Sequence, residues 1–358
     1  MNNNIPSLRR IDGNVRKKKT IRLLQIVMLM FFIIIMLNSI QVPTRSKTIL
    51  SSQNGSAETS YIDGKAVFSP VDNEPLDLDE STESVKIVIT KTTKQLYPKV
   101  NRRKKYDFTI ITGASENHFC PIKGFIYNLK NSLKDLNGRL IIYDLGLTEI
   151  QRDELLSLWD DDYFDELRVF NFSAYPSFWN ISEARGEYAW KPAIVAEVSK
   201  QYPGIITWLD SGTLPERKYF EELPSLLKKY DGFLSPRSSG HMNNWTHPGV
   251  YEYYDDDASK YDKIPNCNGA SIAFDTKKTQ HIIDEWYSCA LDKDCIAPVG
   301  SSRLNHRQDQ AILTYLTARE NRYCKVNSKY FWIHAHQDDN CEKIINFYEK
   351  LYKINLEQ

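Results

Sequence analysis

The chain has 358 residues, with 46 Lys or Arg balanced by 46 Asp or Glu. A nucleic-acid binder carries a basic surplus to match the phosphate backbone, so a formal net charge of zero excludes nucleic acid as an expected partner. Once the N-terminal segments are set aside, roughly 250 residues remain, room for one domain with a sizeable core.

Residues 1–22 hold Arg9, Arg10, Arg16, Lys17, Lys18, Lys19 and Arg22, and an uncharged apolar run follows at 23–42. That run has about the 20 residues a helix needs to cross the hydrocarbon core. The basic flank predicts a cytosolic tail at 1–22, a signal-anchor at 23–42 in contact with the bilayer, and a lumenal remainder. A cleaved signal peptide begins in the same way. Against it stand the length of the run and the poor cleavage site at Asn38-Ser-Ile-Gln-Val-Pro43.

Residues 43–104 read as a stem. Ser, Thr, Asn, Asp and Glu dominate from Ser46 to Glu83, Val85–Thr90 is one candidate strand, and Arg102, Arg103, Lys104 and Lys105 close the segment. All six cysteines lie beyond residue 100, and the sequons at Asn54, Asn171, Asn180 and Asn244 fall on the same side of the apolar run. An even cysteine count in an oxidising compartment is compatible with up to three disulfides, of which Cys289–Cys295 is the expected short loop. A zinc site is the alternative use, but there is no C-x₂-C pair.

From residue 105 strands and helices alternate. Tyr106–Thr112 is an expected strand entering Gly113-Ala-Ser, followed by a helix over 118–134 with Pro121 in its first turn. Arg139–Tyr143 is a second strand ending on Asp144, and Thr148 caps a helix over 149–159. Leu167–Phe172 is a third strand. Helical spacing runs from Trp190 to Tyr202 and again from Tyr219 to Tyr230. Between them, Gly204-Ile-Ile-Thr-Trp-Leu-Asp-Ser-Gly-Thr213 reads as a buried parallel strand. It delivers Asp210 to the carboxyl edge of a sheet, where open α/β sheets bind ligands. Beyond it come a short strand at 232–236, a long polar-aromatic loop at 241–257, a strand at 266–275 and a helix over 279–291. A helix then opens at His306–Gln310, and a last strand is expected at Tyr330–His336. Repeated βα units predict an α/β fold, a mostly parallel central sheet flanked by helices. Glu116, Asn117 and His118 stand where a dinucleotide fingerprint needs glycines, and no Walker loop is present, so NAD and P-loop ATP binding are excluded.

Four stretches, Thr109–Ser115, Trp208–Gly212, Asn268–Phe274 and Arg307–Ala311, resemble the GT-A glycosyltransferase fold, particularly its glycogenin-like and galacturonosyltransferase-like enzymes. They are similar also to a group of animal proteins, well represented in nematodes, assigned to the glycosyltransferase-like class. The resemblance spans roughly residues 106–340 and implies a transferase domain at 105–345 with a tail at 346–358. It implies transfer of a sugar from a nucleotide-sugar donor to a glycan or glycoprotein acceptor, in a Golgi membrane protein. The alternative is an inactive transferase-like or lumenal carbohydrate-binding protein.

The resemblance further implies a donor site at Thr112, Gly113, Ala114, Lys191, Asp210, Ser211, Gly212, Asn268, Gly269 and Arg307, with Asp210 and Asp309 catalytic. Such enzymes hold Mn²⁺ or Mg²⁺ between an Asp-x-Asp and the donor diphosphate. Here Asp210 matches the first carboxylate, but Gly212 stands in place of the second. Two readings stay open. Asp210 and His336 hold a cation, or Lys191, Arg237 and Arg307 neutralise the phosphates without one. Asp309 is a candidate base or sugar ligand, Trp190, Trp208 and Trp245 are candidate stacking platforms, and His334 and His336 are expected on one face of the last strand.

Overall fold

A computed structural model describes residues 105–356. The expected tail at 1–22, apolar span at 23–42, stem at 43–104 and sequon at Asn54 lie outside the described residues. Among the described residues no helix is long and apolar enough to cross a membrane.

The described residues hold ten strands, most of them separated by helices: β1 (Phe108–Ala114), β2 (Gly138–Asp144), β3 (Glu166–Val169), β4 (Ile205–Leu209), β5 (Leu214–Pro215), β6 (Phe233–Leu234), β7 (Arg237–His241), β8 (Pro265–Cys267), β9 (Ser271–Asp275) and β10 (Ile333–His334). Six form one sheet in the order β3-β2-β1-β4-β9-β6. β3, β2, β1 and β4 run parallel, while β9 is antiparallel to both β4 and β6. The fold is a mixed α/β domain with a mostly parallel central sheet.

Strand alternation sorts side chains onto two apolar layers. Ile111, Ile141, Tyr143, Ile206, Trp208, Ile272 and Phe274 face the helices Trp190–Gln201, Thr276–Leu291 and Gln308–Arg319. Ile110, Ile142, Leu209 and Ala273 face the helices Phe119–Ser132, Glu149–Asp160 and Arg217–Lys229. β1 and β4 are therefore buried on both faces, which is why their sequences are continuous apolar runs. Thr148 caps its helix as expected, in a reciprocal capping box with Gln151.

Four expectations are corrected. The third strand is shorter than 167–172, because the chain turns into a 3₁₀ segment at Phe172. Within the expected loop 241–257 lie two short helices, Met242–Trp245 and Pro248–Tyr253. Tyr330–His336 is not a strand. Tyr330, Phe331 and Trp332 adopt left-handed backbone, only Ile333–His334 pairs with β5, and His336 has φ 57°. His334 and His336 consequently do not share a strand face. Finally, the boundary drawn at residue 345 falls inside the helix Cys341–Leu356. That helix packs on Phe119–Ser132, where Gly124 lets Ile344 approach, the Tyr352 hydroxyl donates to the Tyr127 carbonyl at 2.7 Å, and Cys341 is bonded to Cys120.

Two further disulfides, Cys267–Cys324 and the expected Cys289–Cys295, complete the set. Cys120–Cys341 ties residues 221 apart, so the chain-entropy model gives it the largest stabilising term of the three. The double variant Cys120→Ser, Cys341→Ser is expected to lose about 2–5 kcal/mol of stability. Urea unfolding midpoints of the two proteins check this, and equal midpoints contradict it.

Candidate functional site

The carboxyl ends of β1 and β4 open into a cleft of about 400 Å³. Its centre is an ion cluster. The Lys191 ammonium, in the first turn of the helix Trp190–Gln201, lies 3.2 Å from the Asp210 carboxylate and 3.3 Å from that of Asp309. It also donates to the Gly269 carbonyl at 3.1 Å. The Lys191 and Asp309 side chains are 5% and 7% exposed, whereas Asp210 is 42% exposed and faces the open cleft.

Burial works to lower the Lys191 pKa, but Asp210 and Asp309 together outweigh it and hold the ammonium well above its ordinary range. For Asp309 burial wins over the attraction of Lys191, and its carboxyl is pushed up. A carboxylate raised in this way is the better proton acceptor. The Trp208 indole N–H donates to the same Asp210 oxygen at 2.6 Å, so this core residue also fixes the orientation of the carboxylate.

The turn after β4 is held from the other side. The Gln337 N–H donates to the Gly212 carbonyl at 2.8 Å, which brings His336 and Asp338 to the cleft. A Cβ at Gly212 would lie 2.4 Å from both carboxylate oxygens of Asp338. Asp338 thus occupies the space that a side chain at 212 would need.

Of the expected donor-site residues, Gly113, Ala114, Lys191, Asp210, Ser211, Gly212, Asn268, Gly269 and Arg307 line the cleft, with Asp309 and His336. The Asn268 carboxamide oxygen accepts from the Ala270 N–H at 2.7 Å, and its NH₂ donates to the Tyr330 hydroxyl. Thr112 does not reach the cleft. It is fully buried in β1, beneath the lining. Arg237 lies on β7 beside His241, and His334 pairs with Glu216, so neither joins the site. Trp190 and Trp208 line the cleft, whereas Trp245 is covered by the Arg307 guanidinium at 4.0 Å. Asn171, Asn180 and Asn244 are all exposed.

Sequence reasoning missed Arg185, Tyr188, Arg303 and Asp338, all in the lining. Asp338 follows His336 by two residues, and a search for a carboxylate to replace Gly212 would have found it. Arg185 and Tyr188 had no such signal, because they sit on a turn of five consecutive left-handed residues, Ala184 to Tyr188, with φ between 45° and 61°. Only Gly186 adopts that backbone freely, and a Cβ there would meet the Trp179 carbonyl at 2.2 Å.

The loop carrying Arg303 and Arg307 is pinned by His306, which is fully buried. Its Nε2 lies 2.9 Å from the Ile296 carbonyl, and its Nδ1 accepts from the His247 N–H at 3.3 Å. That pattern requires a neutral ring with the proton on Nε2.

Residues 77–196 match a family described as "Protein of unknown function (DUF1647)". No curated protein matches the chain in sequence. Among solved structures, the galactosyltransferase LgtC in complex with donor and acceptor sugar analogs is similar at 14% identity, over 66% of this chain and 95% of that one, with a TM-score of 0.40. Mouse xyloside xylosyltransferase 1 is similar at 13% identity, over 63% and 85%, with a TM-score of 0.38. The mannosyltransferase Ktr4p from S. cerevisiae is similar at 11% identity, over 68% and 78%, with a TM-score of 0.42. At these identities and TM-scores no activity is carried over from them to this chain.

Two outcomes follow from the site. Lys191→Met leaves Asp309 a buried carboxylate without a counter-charge, and is expected to cost about 3–5 kcal/mol. Recovery of most of that loss in the double variant Lys191→Met, Asp309→Asn would show that the two charges are coupled, and simple additivity would refute it. For His306, burial lowers the pKa from 6.5 to about 4. Between those values the unfolded chain binds a proton that the folded one excludes, so stability is lost as pH falls through this window, by about 3 kcal/mol in all. His306→Gln is expected to flatten the stability profile between pH 6.5 and 4, measured by urea unfolding, and a profile as steep as the parent's contradicts the assignment.

Proposed function

We propose that the protein is a nucleotide-sugar-dependent glycosyltransferase. The observation that carries this reading is the buried Lys191 held between Asp210 and Asp309 at the ligand edge of the sheet, facing a cleft of about 400 Å³. In the reaction the bond between the sugar and the donor diphosphate breaks, and an acceptor hydroxyl forms the new glycosidic bond. Asp309 takes the hydroxyl proton, or hydrogen-bonds the donor sugar. Lys191 and Arg307 offset the charge that accumulates on the departing diphosphate. The small residues at Gly113, Ala114, Gly269 and Ala270 let the donor lie close to the backbone.

A divalent cation fits this donor set poorly. Asp210 already shares one oxygen between Lys191 and Trp208, the carboxylate beside Gly212 belongs to Asp338 from a separate segment, and among the described residues no group of three His, Cys, Asp or Glu side chains could hold a metal ion.

The basic residues ahead of the apolar run at 23–42, together with three disulfides, support a single-pass Golgi protein with its C-terminal body in the lumen and glycans at the exposed Asn171, Asn180 and Asn244. Its acceptor would then be a glycan or glycoprotein.

Asp210→Asn is nearly isosteric, so it should fold while transfer or hydrolysis of the donor falls by about 10²-fold or more. Nucleotide release from a panel of nucleotide sugars, measured on the purified full-length protein, checks this. Equal turnover by parent and variant would place the reaction elsewhere. Donor binding without turnover in either protein would favour an inactive, carbohydrate-binding role.

A further inference from the structure

One wall of the cleft carries Arg185, Arg303 and Arg307, which have no counter-charge among the described residues. The Arg185 and Arg303 guanidiniums each donate to the Tyr188 hydroxyl oxygen at 2.6 Å, so two like charges converge on a single neutral acceptor. Arg307, four residues beyond Arg303, lies over the Trp245 ring, 4.0 Å from its centroid. Among the described residues none of the three is ion-paired to a carboxylate, although eleven Lys or Arg side chains elsewhere in the fold, Arg152 and Arg168 for example, do have such partners. Burial lowers the Arg307 pKa, and the neighbouring Arg303 charge lowers it further.

The backbone that holds this wall is itself costly. Four non-glycine residues, Ala184, Arg185, Glu187 and Tyr188, are left-handed, a backbone that crowds Cβ against the following carbonyl. The turn is fixed by Gly186 packed on the Trp179 carbonyl, by the Trp190 indole N–H donating to the Arg185 carbonyl at 3.3 Å, and by the Gln308 amide donating to Glu187 at 3.2 Å. Strain of this kind persists where the surrounding structure over-determines it, and it concentrates at ligand sites. The same turn presents Tyr188 to the catalytic cluster as well, with its ring 6.0 Å from the Lys191 ammonium and 5.6 Å from the Arg303 guanidinium.

We propose that Arg185, Arg303 and Arg307 form an oxyanion-binding fork that receives a charged group of the substrate beside the Lys191 cluster. This deepens the glycosyltransferase reading and rests on it for the identity of the substrate. The oxyanion is either the diphosphate of the donor or the acid group of an acidic sugar. Both are planar-faced or forked oxygen acceptors that guanidinium matches better than ammonium does. The fork presents positive charge to that oxyanion directly from side chains.

The test is calorimetric titration of the full-length protein with inorganic pyrophosphate and, separately, with glucuronic acid. The parent is compared with Arg185→Gln/Arg303→Gln and Arg185→Lys/Arg303→Lys. Arg185 and Arg303 are exposed, so both double variants should melt at the parent temperature. A loss of tenfold or more in pyrophosphate affinity for the Gln pair, with the Lys pair between, supports the fork and assigns it to the donor. The same loss confined to glucuronic acid supports the fork and assigns it to an acidic sugar. Arg319→Gln, which removes an arginine paired to Glu285, should bind as the parent does. Unchanged affinity for both ligands in the Gln pair, or an equal loss in Arg319→Gln, overturns the proposal. Failure of the two readings is separable. Pyrophosphate bound by the fork with no sugar nucleotide turned over leaves the fork standing, whereas parent-like turnover by the Gln pair removes the fork and leaves the transferase.

Discussion

A buried ammonium has to be compensated, and Lys191 can be compensated only if three remote segments meet. Its partners come from the end of β4, from the first turn of the helix Gln308–Arg319 and from the carbonyl of Gly269 ahead of β9. Taking a charge out of water costs several kcal/mol, and the cost is recovered only when the geometry brings both carboxylates close. Few other contacts in the domain are as demanding of relative position. The apolar layers could tolerate small shifts of these elements, but the ion cluster could not. It also divides labour between the two carboxylates. Asp210 stays open to the cleft, and Asp309 is enclosed with its affinity for a proton raised.

The helix that presents Lys191 is entered through left-handed backbone, so the site is made rigid on its approach side by strain and on its far side by pairing. On the far side, β10 on β5 carries the chain back so that Gln337 meets Gly212 and Asp338 fills the space above it. The glycine at 212 is therefore a packing requirement of this chain as much as a missing carboxylate. A conventional reading of the turn sees a lost ligand. The structure shows an acidic side chain delivered to nearly the same place from 126 residues further along the chain.

The legible part of the sequence was the part governed by local rules. Buried strands such as Ile205–Leu209 announce themselves as apolar runs, Thr148 caps through its own side chain, and Cys289–Cys295 closes on itself after a helix. Asp210 could be placed at the ligand edge because it ends such a run. What stayed hidden depends on tertiary contacts. Tyr330–His336 alternates like a strand, but Tyr330 is drawn to Asn268 and the backbone turns left-handed instead. The fork arginines come from segments more than a hundred residues apart, and nothing local to Arg185 marks it. Thr112 was legible as a strand residue, but its side-chain direction depends on the pleat, which points it into the core.

The disulfide pattern has a consequence for how the chain is made. Cys289 and Cys295 are six residues apart and can meet as soon as both have been synthesised. Cys120 has its partner 221 residues downstream, so four other thiols emerge before the right one does. During that interval Cys120 sits on the first helix of a domain whose sheet is still incomplete, since β4 and β9 must both arrive before its neighbours are in place. Correct pairing thus requires that Cys120 stay reduced until residue 341 has been made, or be freed again by thiol–disulfide exchange. Oxidation outrunning synthesis would trap the chain in the wrong connectivity, so the rate at which its thiols are oxidised matters to this sequence as much as the potential that oxidises them.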